Sequence, residues 1–275
     1  MGTPTGRGVV LAAGLGSGMA FLDGTVVNVA LKRLGEDLDA SLAELQWITN
    51  GYLLSLASLI LLGGSLGDRF GRRRVFVIGV AWFALASLMC GLAPNPEVLI
   101  VARVLQGIGG ALLTPGSLAM IQGAFVASDR PRAIGAWTGL GSVATAIGPF
   151  VGGGLVDYAS WRWIFLINLP LAAATIYYAL TYVPETRDPH ASTHFDLAGA
   201  VSATVALGAL TYALIEWGGS LTAYAVVVAV VAAVVFVVAE KREAEPMLRL
   251  GIFADRTFSA ANAMTLLVYA ALGAS

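Results

Sequence analysis

The sequence predicts an all-α integral membrane protein, and three observations lead to this fold class. First, 57% of the 275 residues are hydrophobic and only 12% are charged, whereas soluble domains carry about 25% charged residues. Second, the apolar residues form continuous runs of about twenty residues, which is the length that an α-helix needs to cross a bilayer. Third, these runs do not alternate in polarity as barrel strands do, so their backbone groups must be paired within helices.

About nine such runs follow one another along the chain. They lie at residues 9–31, 46–67, 75–93, 98–122, 133–156, 163–183, 197–217, 221–239 and 257–275. The polar loop from Pro184 to Asp196 marks a domain boundary after the sixth span. Spans seven and eight form a tight hairpin of Val- and Ala-rich helices that we expect to face lipid or to lie at the periphery. The sequence stops at Ser275, inside the ninth span, so we expect it to be incomplete.

Positive charge in the loops predicts the orientation of the chain. Of the 16 Lys and Arg residues, only Lys32, Arg33 and Arg162 fall in loops opposite the N-terminus, and only Arg103 lies within a span. Basic residues favour cytoplasmic loops. We therefore expect a multi-pass protein of the cell (inner) membrane with a cytoplasmic N-terminus.

The composition also limits the class of function. A net charge of -1 gives no basic excess for nucleic acid, and the single cysteine, Cys90, excludes a disulfide within the chain. No catalytic motif and no extramembrane domain large enough for an enzyme are found. His190 and His194 lie four residues apart, but in a proline-containing linker we expect a solvated loop there and no metal site.

Two charged residues, Asp23 and Arg103, lie inside apolar spans. Each costs about 2.5–3.5 kcal/mol at the bilayer centre, so neither is expected to be unpaired. The helical rise places Asp23 about 10 Å and Arg103 about 7–8 Å below the outer membrane boundary. The two charges can therefore pair across a cavity if the first and fourth helices are neighbours. Such a pair either loads and releases a proton as access alternates or is a permanent ion pair that fixes helix packing.

In two further segments, glycines stand next to an acidic residue or a proline. The loop at residues 64–74 carries Asp68 among glycines and arginines, and a positive-inside anchor would need only the basic residues. Asp68 is expected to hold a helix N-terminus or an Arg on a neighbouring loop, as a latch at the cytoplasmic face. In the fifth span, Gly148, Pro149 and Gly152 predict a bend and a close helix approach.

These segments together resemble motifs of the major facilitator superfamily, in the right order and on the right helices. Residues 64–74 look like motif A, residues 99–110 like motif B in helix four, and residues 141–153 like motif C in helix five, which is typical of antiporters. Residues 22–31 and 161–170 are similar to segments of the fourteen-helix drug:proton antiporter group. The resemblance covers essentially the whole chain, although Lys32 stands where the first-helix motif usually has proline.

The resemblance implies an architecture: an N-terminal six-helix bundle, a two-helix linker hairpin and the start of a ninth transmembrane helix that opens a second bundle. The corresponding segments are a cytoplasmic N-terminus at 1–8, the bundle at 9–183, a cytoplasmic linker at 184–196, the hairpin at 197–239, a cytoplasmic loop at 240–256 and the incomplete second bundle at 257–275. The family places helices one and four side by side.

The resemblance also implies roles for particular residues. Asp23 and Arg103 are expected to take part in proton coupling. The first-helix motif comprises Asp23, Thr25 and Asn28. The cytoplasmic latch of motif A comprises Gly64, Gly67, Asp68, Arg69, Gly71, Arg72 and Arg73. Motif B contributes Arg103, Gln106 and Gly107, and the antiporter motif contributes Gly141, Gly148, Pro149, Gly152 and Gly153.

The expected function is export of drugs, antibiotics or other amphipathic, often cationic small molecules in exchange for protons. The expected partners are the small-molecule substrate, protons and the lipid bilayer, with no nucleic acid and no cofactor, since the proton gradient drives transport. One alternative is a proton-coupled or facilitative transporter of sugars or metabolites. An alternative of another class is a truncated membrane protein that serves as a scaffold without transporting.

Overall fold

The structure, a computed structural model, describes residues 2–188, 196–243, 248 and 250–273. In this part of the chain every regular element is a helix. The α-helices are α1 Pro4–Leu38, α2 Leu42–Phe70, α3 Arg72–Gly91, α4 Pro96–Ala124, α5 Arg130–Tyr158, α6 Trp163–Leu166, α7 Asn168–Tyr182, α8 Leu197–Ile215, α9 Thr222–Arg242 and α10 Arg256–Gly273, with a 3-10 helix at Leu250–Ala254. The all-α prediction is confirmed.

Several helix starts are encoded by capping residues in the local sequence. Thr3 and Asn95 each accept a backbone N–H from the first turn of the helix that follows them. Ser41 and Glu44 form a reciprocal capping box at the start of α2. Caps satisfy the N–H groups that the first turn leaves unpaired, so these helices begin at positions fixed by the sequence.

The helices of the first six spans form one bundle in which α1 and α4 are central. Helix α1 packs against α5 and α7, α4 packs against α2 and α3, and α1 and α4 contact each other. The short α6 and α7 together make the sixth span. The first and fourth helices are therefore neighbours, as the pairing of Asp23 with Arg103 requires.

Eight of the described helices are long and apolar enough to cross a membrane. They are Pro4–Leu38, Leu42–Phe70, Arg72–Gly91, Pro96–Ala124, Arg130–Tyr158, Trp163–Tyr182, Ala198–Ile215 and Thr222–Arg242. These match the first eight predicted spans. The segment of the ninth predicted span forms α10, but α10 does not reach the apolarity of the other eight because Arg256, Thr257, Ser259, Asn262 and Thr265 interrupt it.

Helices α8 and α9 form a hairpin on the side of the bundle. The two helices pack against each other, and α8 also contacts α2. Large apolar side chains of α9, such as Val227, Val230 and Val234, are more than half exposed. An apolar exposed surface of this kind suits a lipid environment, in agreement with the peripheral position that the composition of these spans predicts.

Glycine sets the separation of α2 and α4 at one point in particular. A Cβ atom built on Gly63 would collide with the backbone carbonyl of Ala111 on α4. A backbone cannot rotate away as a flexible side chain can, so any larger residue at this position must push the two helices apart.

We expect Gly63→Ala to destabilise the bundle by about 1–3 kcal/mol, because the added methyl overpacks the interface between α2 and α4. Gly135→Ala on α5 is the matched control, since nothing lies within 4 Å of a Cβ built there. In that variant only the better helix propensity of alanine acts, and it stabilises by up to about 1 kcal/mol. The measurement is equilibrium unfolding in mixed detergent micelles. Equal stability of the two variants would show that α2 and α4 do not approach as closely as described.

Candidate functional site

The two charges of the membrane interior form an ion pair between α1 and α4. The Arg103 guanidinium donates to Asp23 Oδ2. Both residues are only 1% exposed. The pair therefore lies in the packed interior of the bundle, whereas the sequence allowed pairing across a cavity.

Asp23 accepts hydrogen bonds from side chains on two other helices. Besides Arg103, the amide nitrogens of Gln106 on α4 and Asn168 on α7 donate to Asp23 Oδ1 over 2.8 Å and 3.2 Å. The Ser87 hydroxyl lies within 2.8 Å of Gln106 Nε2 and 3.3 Å of Asn168 Nδ2, and accepts from both amides. This set of residues, Asp23, Ser87, Arg103, Gln106 and Asn168, is called the polar hub below. Within it, three side chains donate to the Asp23 carboxyl.

Arg103 is held on all sides by groups that suit a cation. Its Nε donates to the carbonyl of Ile48 on α2 over 3.1 Å, and another nitrogen donates to Gln106 Oε1. The guanidinium carbon lies 4.3 Å from the centre of the Tyr52 ring, an arrangement in which the π face attracts the charge. The charge at position 103 is therefore paired, hydrogen-bonded and stacked by protein groups alone.

Three contributors to the polar hub and its surroundings were not singled out from the sequence. Ser87, Asn168 and Tyr52 are all fully or almost fully buried, and each lies within a long apolar run. Asn168 lies in the segment 161–170, which was assigned only as a family resemblance. Its Oδ1 atom is buried and has no hydrogen-bond partner among the residues that the structure describes. A polar residue at the centre of an apolar span is the signal that would have identified these positions.

The first-helix motif divides between the interior and the surface. Asp23 points into the polar hub, but Asn28 is exposed and only its amide reaches back to the carbonyl of Gly24, over 3.4 Å. Thr25 donates to the carbonyl of Leu22 over 2.9 Å and faces α5. The structure therefore brings Asp23, and not Asn28, to the site.

The antiporter motif forms the contact between α5 and α1. A Cβ atom at Gly148 would collide with the Thr25 hydroxyl, and Gly152 and Gly141 lie against Val26 and Phe21. Pro149 and its neighbour Phe150 are on the exposed side of α5. Among the described residues, a Cβ atom built on Gly153 would meet only the Val29 side chain, at 4.0 Å. In motif B, Gly107 allows α4 to approach Ser55 and Tyr52 of α2.

The segment for which a latch was expected turns sharply at Gly71, whose φ of 111° is a conformation that favours glycine. Across this turn Asp68 Oδ1 accepts from Arg72 Nε over 2.8 Å. Helix α3 has no side-chain cap of its own at Gly71. Instead Glu185, which follows α7, accepts the backbone N–H groups of Arg73 and Arg74 over 3.1 and 3.2 Å.

The carboxylate of Glu185 thus satisfies and neutralises the positive N-terminal end of α3 from another part of the chain. The Arg72 N–H donates to the carbonyl of Thr186, and the Asp188 N–H donates to the carbonyl of Asp68, both over 3.0 Å. The sequence predicted that Asp68 holds a helix N-terminus or an Arg on a neighbouring loop. Its side chain instead pairs with Arg72, four residues further along the same segment, and Glu185 accepts the N–H groups at the start of α3.

Four of the latch residues line a cavity of about 390 Å³ between α2 and α4. They are Gly64, Gly67, Asp68 and Arg72. Arg73 lies 3.8 Å from the Glu185 carboxylate, and the Arg69 guanidinium lies 5.3 Å from the Phe70 ring centre.

No group of three or more His, Cys, Asp or Glu side chains suited to a metal ion occurs in the described residues. His190 and His194, for which a solvated loop was expected, lie outside them.

The sequence of this chain matches a known protein family. Residues 13–238 match the family model of the Major Facilitator Superfamily. The chain is 40% identical over 269 residues to the multidrug resistance protein Stp of Mycobacterium tuberculosis, covering 96% of this chain and 50% of that protein. It is 39% identical over 274 residues to a methylenomycin A resistance protein of Bacillus subtilis, covering 98% and 58%.

A third relative is the tetracenomycin C resistance and export protein of Streptomyces glaucescens, 38% identical over 264 residues, with 94% of this chain and 49% of that protein covered. The chain therefore spans about half the length of the relatives it matches.

Solved structures show the same fold at low sequence identity. A peptide transporter of the POT family matches 89% of this chain and 54% of its own, with a TM-score of 0.62 and 15% identity. A bacterial homologue of the human lysosomal transporter Spinster matches 87% and 61%, with a TM-score of 0.54 and 21% identity. With a family model that matches most of its length, the chain belongs to the Major Facilitator Superfamily.

Proposed function

We propose that this chain is the N-terminal part of a secondary active transporter that exports drugs, antibiotics or other amphipathic small molecules in exchange for protons. The observation that carries the proposal is the buried ion pair of Asp23 and Arg103 inside the polar hub. Membrane proteins keep ionisable side chains at such depth for ion and substrate pathways. The resistance and export functions in the names of the relatives support the same class of activity.

The polar hub supplies a route to proton coupling that needs no cofactor. In the structure, Arg103 and the amides of Gln106 and Asn168 all donate to the Asp23 carboxyl. Binding a proton at Asp23 requires these donors to separate from it. A movement of α1 relative to α4 would do so, and it would tie protonation to the conformation of the bundle.

The cytoplasmic latch gives the second half of the proposed cycle. Asp68, Arg72 and Glu185 hold the turn between α2 and α3 beside the cavity between α2 and α4. We assign Asp68 and Arg72 to stabilising the state that is closed to the cytoplasm. The glycines of α5 and Pro149 shape the antiporter helix against α1.

The orientation follows from the loop charges, with the N-terminus in the cytoplasm and the protein in the cell membrane. Alternating access in this fold uses two bundles that rock about a central site. The complete transporter therefore includes a second bundle, and the substrate site lies between the two.

The test is efflux of ethidium from bacterial cells that express the complete coding region. We expect accumulation of the dye to fall on expression and to recover when a protonophore collapses the gradient. In everted vesicles, addition of substrate should release protons from the lumen. Dye efflux that persists with the protonophore would overturn proton coupling and favour facilitated transport. Absence of transport for any of a panel of amphipathic cations, with the protein folded in the membrane, would favour a non-transporting scaffold.

A further inference from the structure

A cavity of about 340 Å³ lies between α2 and the α8–α9 hairpin, apart from the polar hub. Four of the five residues that line it on α8 are alanine or glycine, and α9 contributes Ala233 and Phe236. Its wall on α2 consists of Ala57, Ser58 and Leu61. The only polar side chain among these described lining residues is that of Ser58. A cavity of this size with a mostly apolar wall is typical of sites for small apolar ligands.

The side chains along the contact between α2 and α8 explain why space is left here. Toward the end of α8, the rings of Trp47 and Tyr212 meet with their centres 6.3 Å apart. Leu54 lies 3.7 Å from a Cβ atom built on Gly208. Ser58 follows Leu54 by four residues, so both side chains lie on the face of α2 that is turned toward α8. Nearer the start of α8 the opposing residues are small, and they leave the gap unfilled.

Ser58 is the unusual residue of this wall, because its hydroxyl is buried and unpaired. The residue is 6% exposed, and its Oγ has no hydrogen-bond partner among the described residues. Ser55, one turn earlier on α2, donates to the carbonyl of Gly51 over 2.9 Å, as helical serines commonly do. A buried hydroxyl without a partner is unfavourable. Ser58 is therefore suited to an acceptor that the described part of the chain does not supply.

Neither water nor a lipid acyl chain matches both properties of the cavity. A buried water molecule needs about two to four polar partners, and the described wall offers one hydroxyl. An acyl chain fills apolar space, but its ester oxygens lie at the membrane boundary. Ser58 lies about 18 Å before the end of α2 at Phe70, which is deep within a bilayer. The matching ligand is therefore apolar and carries its acceptor within the apolar body.

The cavity opens sideways, between α2 and α9. Its lining residues Ala57, Leu61 and Ala233 are exposed on the outside of the described helices. All three lie in helices that are long and apolar enough to cross a membrane. A molecule that enters the cavity here comes from the hydrocarbon interior of the bilayer and has to be lipid-soluble.

We propose that this cavity binds a membrane-dissolved apolar molecule with one carbonyl group, to which the Ser58 hydroxyl donates a hydrogen bond. The site is separate from the substrate site proposed between the two bundles. Binding depends on the geometry of α2 and the hairpin, and neither the ion pair of Asp23 with Arg103 nor the proton gradient takes part in it.

Photolabelling with benzophenone tests the site. Benzophenone has two apolar rings and a single carbonyl, and under ultraviolet light this carbonyl also attaches to nearby C–H bonds. The complete protein in lipid nanodiscs is illuminated over a range of probe concentrations, and mass spectrometry locates and counts the adducts. We expect saturable labelling of the lining, with Leu61, Leu207 and Phe236 among the labelled residues. No proton gradient is present, so the outcome is independent of proton-coupled export.

Ser58→Ala should raise the half-saturating concentration about fivefold, the size expected for the loss of one neutral hydrogen bond. Ser55→Ala is the matched control, because the Ser55 hydroxyl bonds within α2 and its loss should leave the half-saturating concentration unchanged. Ala203→Leu should abolish saturable labelling, since the larger side chain fills the cavity. Ala223→Leu makes the same change at an exposed position of α9 outside the lining and should retain the labelling.

Three results would overturn the proposal. Labelling that rises linearly with concentration in every variant would show that benzophenone only partitions into the bilayer. Absence of adducts on the lining would show that another part of the complete protein covers the cavity. Saturable labelling with the same half-saturating concentration in Ser58→Ala and in the wild type would show an apolar groove for acyl chains, without the hydrogen bond on which recognition rests.

Discussion

Asp23→Asn is expected to reduce proton-coupled efflux by the complete transporter to the background level. Asparagine keeps the size of the side chain and one oxygen that can accept from Gln106 and Asn168, but it cannot bind and release a proton. Its neutral amide also leaves the charge of Arg103 without a counterion in the packed interior. The variant therefore removes both the carboxyl that could carry a proton and the counterion of Arg103.

The measurement is substrate-induced proton movement in everted vesicles, followed with a pH-sensitive dye. Asp157→Asn is the matched control, because Asp157 is an exposed acid on α5 and its loss should leave the proton signal unchanged. Asp23→Glu is the second variant, and it should retain part of the coupling because it keeps a titratable carboxyl. Full coupling in Asp23→Asn would reduce the ion pair to a device that only fixes helix packing.

Two independent features of the sequence predict the ion pair. A charge in an apolar span needs a partner, and the helical rise placed Asp23 and Arg103 at similar depth. Those steps selected the two residues, whereas the contact between α1 and α4 came from the family resemblance. Depth along a helix is readable from the sequence, but which helices are neighbours depends on how all the faces pack together.

The polar hub could not be assembled from the sequence for the same reason. Ser87 and Asn168 lie 64 and 145 positions after Asp23 in the chain, and no local spacing connects them. The role of Glu185 could not be predicted from the sequence either. Its position in a polar linker indicates a solvated residue. It caps α3 because the chain returns past Gly71 after α7.

The long helices were predictable because their signal is local and repeated. About twenty apolar residues in succession, ended by charged or capping residues, leave little choice in a membrane. The ninth predicted span shows where this reasoning stops. Its segment is helical, but α10 is not among the eight described helices that are long and apolar enough to cross a membrane.

Arg103→Leu is expected to destabilise the bundle by about 3–5 kcal/mol, because removing one partner of a buried ion pair leaves the other charge uncompensated. The loss has three sources at this position: the Asp23 carboxylate, the carbonyl of Ile48 and the Gln106 oxygen each lose the hydrogen bond that Arg103 donates. Equilibrium unfolding in mixed detergent micelles measures the change. Arg33→Leu is the control, since Arg33 pairs with Glu36 on the surface and exposed pairs contribute about 0–1 kcal/mol.

A double substitution decides how much of this loss belongs to the charge left behind. In Asp23→Asn/Arg103→Leu no buried charge remains, so we expect a coupling energy of about 2–3 kcal/mol, with the double variant more stable than the sum of the single losses predicts. Additive losses would mean that Arg103 acts through its contacts with α2 rather than through Asp23. If the double variant folds and yet fails to couple transport to protons, the pair is not needed for folding of the bundle but is needed for proton-coupled transport. A buried ion pair with that behaviour is retained for its chemistry, because an apolar pair would have served the packing as well.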